Sequence, residues 1–331
     1  MSITIKDVAK EAGVSVATVS RVLNGSCNVS DESTKKVNET IARLNYSPNF
    51  LGRNLRKCET NVILVIMPTS EHSLYSKIVM GMQEYAGKVG YDIITAVSYS
   101  TSTAETRQMN MLFNRTVDGV ILLGTQYDAA SLNKLAENYN VALCCEGVKG
   151  ANVLTVAVDD EQAAFDAVAA LIKKGHKRIG FIGTNSAAIS STARENGYIR
   201  ALKEYGIEIK NEYIYKESYD YDCGGRAFEY FNALDEKPTA IFAVSDLLAI
   251  SAMHKAIDID IDVGKDVAIM GFDNISMCEW IIPTLSTVEQ PCSKMGELVV
   301  AKLIENMNKT TKDNHYYTVD HRIILRESTG D

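Results

Sequence analysis

The sequence lacks the features that mark most other kinds of protein. No run of apolar residues approaches the ~20 that a membrane-spanning helix needs; stretches such as Val62–Met67 are far shorter. Met1–Asp7 leads straight into a capped, amphipathic pattern, so a secretory signal is not expected. Seven cysteines are an odd number without C-x-x-C spacing, and only Cys144 and Cys145 are adjacent. That excludes a disulfide framework or a zinc site on spacing and leaves core thiols in a reducing cytoplasm. The five histidines lie far apart, none at a metal-ligand spacing. No G-x-G-x-x-G follows a strand and no G-x-x-x-x-G-K-[ST] is present, so nucleotide binding has no support. No Ser, Cys or carboxylate has a local motif for nucleophilic catalysis. Asp258–Gly264 looks like a calcium loop, but Val263 stands where glycine is required and Ile269 where glutamate is. Neither an enzyme nor a bound cofactor or metal is expected.

What is present is an uneven charge. The 331 residues are 46% apolar and 23% charged, the profile of a globular chain of more than one domain, with a net charge of −8. Residues 1–58 carry nine Lys/Arg against five Asp/Glu, a net of +4, and the rest carries 25 against 37, a net of −12. A basic head on an acidic body suggests a polyanion-binding module joined to something that stays off the polyanion.

The head reads as three helices. Ile5, Val8, Ala9 and Ala12 fall on one helical face, behind Thr4 as N-cap with Asp7 three residues on. Gly13 stops that helix. Ser15 caps a second, with Val16, Val19, Val22 and Leu23 on its apolar side, and Asn24-Gly25 ends it. A third follows Ser30, with Asp31 and Glu32 in its first turn and Val37, Ile41 and Leu44 directed inward. Pro48 keeps it from continuing.

From Val62 short apolar runs alternate with amphipathic stretches. Strands are predicted at Val62–Met67, Tyr91–Val97, Val117–Leu123, Val141–Cys145, Arg178–Ile182, Ala240–Val244 and Val267–Gly271. Helices are predicted near 72–89, 104–115, 130–138, 161–174, 192–205, 223–234 and 246–257. Continuous apolar strands separated by helices indicate a parallel sheet covered on both faces. The expected fold is an all-α helix–turn–helix headpiece followed by an α/β core of two doubly wound parallel-sheet subdomains, with ligands at the strands' carboxyl ends.

Ile5–Val22 form the helix–turn–helix. Ala9 is small where the helices cross, and Gly13 tolerates positive φ at the turn. The outer face of the second helix, Ser15, Val16, Ala17, Thr18, Ser20 and Arg21, is short or cationic, which suits insertion into a major groove.

Thr4–Asn24 resembles the headpiece of the lactose-repressor family almost residue for residue, as does Arg43-Leu-Asn-Tyr-Ser-Pro-Asn49. The likeness continues through Asp159–Phe165, Gly175-His-Lys-Arg-Ile179, Gly271-Phe-Asp-Asn274 and His321–Ser328. It covers the whole chain, and the middle and end are most similar to the catabolite control protein branch. The resemblance implies a headpiece at 1–49, a hinge helix at 50–60 and a periplasmic-binding-protein-like core at 61–331 that binds effector and dimerises. It places base reading at Val16, Ala17 and Arg21, Arg to guanine being the commonest specific contact. Thr4, Ser15, Thr18, Asn24 and Tyr46 match positions that hold phosphates. Arg53 lies in the hinge, where Leu55 matches a wedge entering the minor groove.

In the core the resemblance implies an effector cleft. Arg194 matches the arginine that grips sugar hydroxyls or a carboxylate, Asp273 an acid that accepts from ligand hydroxyls, and Tyr75 and Tyr219 aromatic walls. Ser245 replaces a frequent cleft asparagine or related polar group. A plain structural ion pair between Arg194 and Asp273 is the competing expectation. The implied function is a cytoplasmic, homodimeric repressor of carbon or sugar metabolism genes on a pseudo-palindromic operator, answering to a sugar or small anionic metabolite. The alternative is a catabolite control protein with a serine-phosphorylated phosphocarrier protein as co-repressor, docked beside the helix at Gln290–Asn308. Ala301, Ser293 and Lys294 depart from that branch, and Lys302 lacks an arginine's bidentate fork. A transport solute-binding protein fits the core but not the head.

Overall fold

The computed structural model describes residues 3–23, 29–46, 59–185, 188–309 and 312–331. Contacts divide the chain into one unit ending at Glu59 and a second beginning at Thr60.

The first unit contains α1 (Ile5–Ala12), α2 (Val16–Leu23) and α3 (Asp31–Leu44). The Asp7 carboxylate accepts from the Thr4 backbone N–H at 2.9 Å and the Thr4 hydroxyl at 2.7 Å, tying down the start of α1. Those bonds hold the Asp7 carboxyl below its usual range. Gly13 turns the chain at φ 67°, a conformation that a side chain would strain. Ser15 Oγ accepts from Thr18 N–H at 3.1 Å and Ser30 Oγ from Ser33 N–H at 3.3 Å, the expected N-caps of α2 and α3. Val8, Ala9, Val19 and Val37 are buried, with Val14, Val22, Ile41, Leu44 and Tyr46 packed around them. Asn24, Arg53 and Leu55, and all of the expected hinge except Glu59 and Thr60, lie outside the described residues.

The second unit holds two six-stranded sheets. The first runs β11–β5–β4–β3–β1–β2, built from β1 (Val62–Met67), β2 (Asp92–Val97), β3 (Gly119–Leu122), β4 (Val141–Cys144), β5 (Leu154–Ala157) and β11 (Tyr316–Thr318). The second runs β12–β10–β9–β8–β6–β7, built from β6 (Ile179–Thr184), β7 (Ile214–Glu217), β8 (Ala240–Ala243), β9 (Ala268–Asp273), β10 (Ser286–Glu289) and β12 (Arg322–Ile324). Every pairing is parallel except β10 with β12. In β1 the side chains alternate between two cores: Ile63, Val65 and Met67 on one face, Leu64 and Ile66 on the other. That double burial is why the strand reads as an unbroken apolar run, each such side chain contributing about 1.5–3 kcal/mol.

Helices α4 (Ser73–Lys88), α5 (Ser102–Phe113), α6 (Ala129–Asn138) and α11 (Cys292–Met307) cover the first sheet. Helices α7 (Asp160–Lys173), α8 (Ile189–Glu204), α9 (Tyr221–Asn232) and α10 (Asp246–Asp258) cover the second. The chain passes between the lobes three times, after β5, after β10 and between β11 and β12. Close helix packing in the first lobe depends on Gly81, where a Cβ would lie 2.3 Å from the Ser293 carbonyl oxygen of α11.

All seven predicted strands form, with ends shifted by a residue or two. Five more, β5, β7, β10, β11 and β12, were not predicted; four of them carry polar residues within their three or four positions, and β5 is broken by Thr155. In β10 the polar Ser286 and Thr287 are wholly buried. Ser328 Oγ accepts from Ser286 N–H at 2.8 Å, and the Thr287 hydroxyl donates to Asp246 at 2.5 Å. Tertiary partners, invisible to a periodicity rule, make that strand.

Candidate functional site

Where the lobes face each other, the strand ends enclose a cavity of about 670 Å³. Pro68 and Thr69 follow β1, Ser98 and Ser100 β2, Gly124–Tyr127 β3, and Cys145 and Glu146 β4. From the second lobe come Ser190 and Arg194 of α8, Tyr219 after β7, Val244 and Ser245 after β8, Asp273 closing β9 and Gln290 after β10. Carboxyl ends of parallel strands are where such folds bind ligands. Several of these ends turn through left-handed backbone: Ser100 at φ 53°, Cys145 at 76° and Asp273 at 115°. A non-glycine residue at such φ is strained, and the strain concentrates at functional sites.

Arg194 and Asp273 form the polar centre. Arg194 is nearly buried and donates Nε–H to Asp160 at 2.9 Å and Nη1–H to the Val244 carbonyl at 2.6 Å. Its Nη1 lies 3.6 Å from Asp273 Oδ1, and its guanidinium stacks 3.7 Å over the Phe272 ring. Burial opposes the charge on Arg194, but Asp160 and Asp273 outweigh it, and the guanidinium is held charged. Burial raises the Asp160 carboxyl despite Arg194, with Glu146 and Asp273 adding to the rise. Asp273 accepts from Gln290 Nε2 at 2.7 Å, and its second oxygen sits 3.6 Å from His72 Nε2. His72, at the start of α4, reaches across to the Tyr219 hydroxyl at 3.0 Å. Behind these groups Asp246 accepts from Ile275 N–H at 2.8 Å, and burial with the charge of Asp273 pushes its carboxyl up to about 7. Gly271 lets that helix start approach, since a Cβ there would lie 2.3 Å from an Asp246 oxygen. Ser245 is buried as the N-cap of α10, accepting from Leu248 N–H at 3.4 Å.

Tyr75, Arg194, Tyr219, Ser245 and Asp273, singled out from the sequence, thus line one cavity. The competing ion-pair reading also holds in part, for Arg194 is braced first by Asp160 and only then by Asp273. Sequence reasoning missed Asp160, His72, Glu146 and Gln290. Asp160 lay within the quoted Asp159–Phe165 motif; the other three carried no local signal.

On the head, Thr4, Ser15, Ala17 and Arg21 are exposed and Val16 is 40% exposed, so the outer face of α2 is free of the head's own core. The Ser15 and Thr18 hydroxyls lie 2.9 Å apart at the helix start, the end that attracts phosphate. Tyr46 is half-buried, its ring packed on the head core.

A helix–turn–helix unit joined to a two-lobed core with a ligand-sized cleft defines a DNA-binding regulator that senses a small molecule. Residues 4–49 match "Bacterial regulatory proteins, lacI family" and residues 168–329 match "Periplasmic binding protein-like domain". The chain is 38% identical over 331 residues to catabolite control protein A of Priestia megaterium, covering 99% of this chain and 100% of that protein. Two solved structures are similar over nearly their full length. The transcriptional regulator CelR–cellobiose complex shares 27% identity at TM-score 0.74 over 98% of this chain and 99% of that one. The lac repressor dimer bound to operator and the anti-inducer ONPF shares 23% identity at TM-score 0.90, over 99% of both chains, and shows the fold alone. The chain belongs to the lacI family of bacterial regulatory proteins and is a DNA-binding transcriptional regulator. Among the described residues no helix is long and apolar enough to cross a membrane.

Proposed function

We propose that this chain represses genes of carbon or sugar metabolism, binds a pseudo-palindromic operator as a homodimer, and changes its DNA affinity when a polyol fills the cleft. The observation that carries the reading is the partly enclosed cavity at the strand ends, lined by Arg194, Asp273, aromatic rings and several hydroxyl side chains. A similarity to a catabolite control protein and to a cellobiose-bound regulator supports the sugar limb. An anionic metabolite fits less well, because the single guanidinium is already shared between Asp160 and Asp273. Dimerisation is supported by an apolar stretch turned to solvent: Met277 is 43% exposed, Trp280 75% and Ile282 87%. Soluble surfaces seldom leave such neighbours uncovered.

In this reading Val16, Ala17 and Arg21 meet base edges, Thr4, Ser15, Thr18, Asn24 and Tyr46 hold phosphates, and Arg53 and Leu55 belong to the hinge. Arg21→Ala is expected to relax one base preference in each half-site and to cost roughly 1–3 kcal/mol there. Affinity for unrelated duplexes should hardly change. Site selection from a random pool checks this; an identical consensus for both proteins would remove Arg21 from the base readers.

A phosphocarrier co-repressor is the second reading, favoured by the 38% identity to a catabolite control protein. Against it, Lys302 on α11 already pairs with Glu305 at 3.1 Å, and Ala301 offers no charge. Calorimetry against the serine-phosphorylated carrier and a sugar panel separates the two readings.

A further inference from the structure

We propose that the cleft is built for an amino sugar, with the Glu146 carboxylate as partner of its ammonium group; this rests on the reading of the cleft as an effector site. The charge at the cavity does not balance. Arg194, Asp273 and Glu146 line it, and Asp160 stands directly behind Arg194 at 2.9 Å. One guanidinium therefore faces three carboxylates, and its described bonds go to Asp160 and the Val244 carbonyl. His72, the remaining basic side chain of the lining, is directed at Tyr219 and Asp273. Among the described residues no Lys, Arg or His forms an ion pair with Glu146, while Asp160 and Asp273 both have one.

Glu146 has the hydroxyl of Ser190, on the facing lobe, as its described hydrogen-bond partner. A hydroxyl satisfies one lone pair and supplies no countercharge. A cleft carboxylate with no ion-pair partner is open to a ligand that brings its own ammonium, which adds a charge-assisted bond there. The backbone presents the group with some strain, since Cys145 immediately before it sits at φ 76°.

A second observation points to the same ligand class. Tyr75, Tyr127 and Tyr219 line the cavity, and Tyr75 and Tyr219 flank His72 with ring centroids 5.5 and 6.1 Å from it. Aromatic faces suit the apolar face of a pyranose and attract an adjacent cation. A simple alkyl amine would leave Asp273, Gln290 and Ser245 without the hydroxyls they are placed to meet. A sugar phosphate would bring its charge against Glu146 and Asp273.

The test is calorimetry on the full-length protein at pH 6.5. Glucosamine, galactosamine and mannosamine are each compared with the parent hexose, which keeps the size but lacks the amine, and with the N-acetyl derivative, whose bulkier amide keeps the nitrogen but loses the charge. In at least one series the free amine should bind about tenfold tighter than both neutral forms, as expected for one charge-assisted bond. Glu146→Gln should bring that ratio to within about twofold. Neutral sugars binding as well as the amines in every series would overturn the proposal and leave the sugar-cleft reading intact. A tenfold preference that survives Glu146→Gln would overturn the assignment to Glu146. No heat from any sugar would count against both the amino-sugar proposal and the sugar-cleft reading. The wild-type comparison needs no variant, so it stands even if Glu146→Gln folds poorly.

Discussion

Arg194→Ala is expected to lower the stability of the core by about 3–5 kcal/mol, the usual cost of leaving buried carboxylates without their cation. The side chains involved are well enclosed, Arg194 at 11%, Asp160 at 10% and Asp273 at 2% exposure. The stack on Phe272 is lost as well. For a unit of this size the melting temperature should fall on the order of 10 °C. Sugar binding should disappear together with it. The double variant Arg194→Met with Asp160→Asn should recover part of the stability and none of the binding, because it neutralises one of the two stranded carboxylates without restoring the guanidinium. Differential scanning calorimetry on the three proteins reads both effects. If Arg194→Ala melted like the wild type, the arginine would be a solvated ligand grip and the brace by Asp160 would have no energetic weight.

Trp280→Asp is expected to split the proposed homodimer. Trp280 is 75% exposed within the chain, so its own fold loses little. At an interface the same change removes a large aromatic anchor and buries a charge, a combination found at binding hot spots. Sedimentation should then report a 36.4 kDa monomer. Operator affinity should fall at least ~100-fold, since a monomer holds one half-site where the dimer holds two. A dimer that persists with unchanged DNA affinity would place the subunit contact elsewhere on the core.

What was legible in the sequence follows from how local each determinant is. The head was readable because its signals lie within four residues of one another: Thr4 with Asp7, Gly13 at its turn, Ser15 with Thr18. The central parallel strands were readable because burial on both faces forces them to be apolar, as in β1, β3 and β4. Strand β10 was not, because Ser286 and Thr287 are made tolerable by Ser328 and Asp246, about forty residues away in each case. The cleft was half legible. Arg194, Asp273, Tyr75, Tyr219 and Ser245 came from the family resemblance, whereas composition and spacing alone singled out none of them. His72, dismissed as a metal ligand on spacing, meets Tyr219 across 147 residues of sequence. Asp160, the principal partner of Arg194, was hidden in a motif that also supplies the N-terminus of α7.

We place DNA recognition in the head, and effector sensing and subunit pairing in the acidic core. The head and the core carry separate hydrophobic clusters, and the core's anchor begins at Thr60, whose N–H and hydroxyl donate to Asp118 at 2.8 and 2.9 Å. The most direct measurement is selection of duplexes from a random pool by the full chain and by residues 60–331, followed by anisotropy titrations on the selected site. The full chain should recover a two-fold symmetric consensus and bind it with an affinity that drops steeply with salt. Residues 60–331, with their net negative charge, should stay folded and dimeric yet recover no consensus and bind no duplex. A core fragment that still selects the same site, or a full chain that selects none, would overturn this division between head and core.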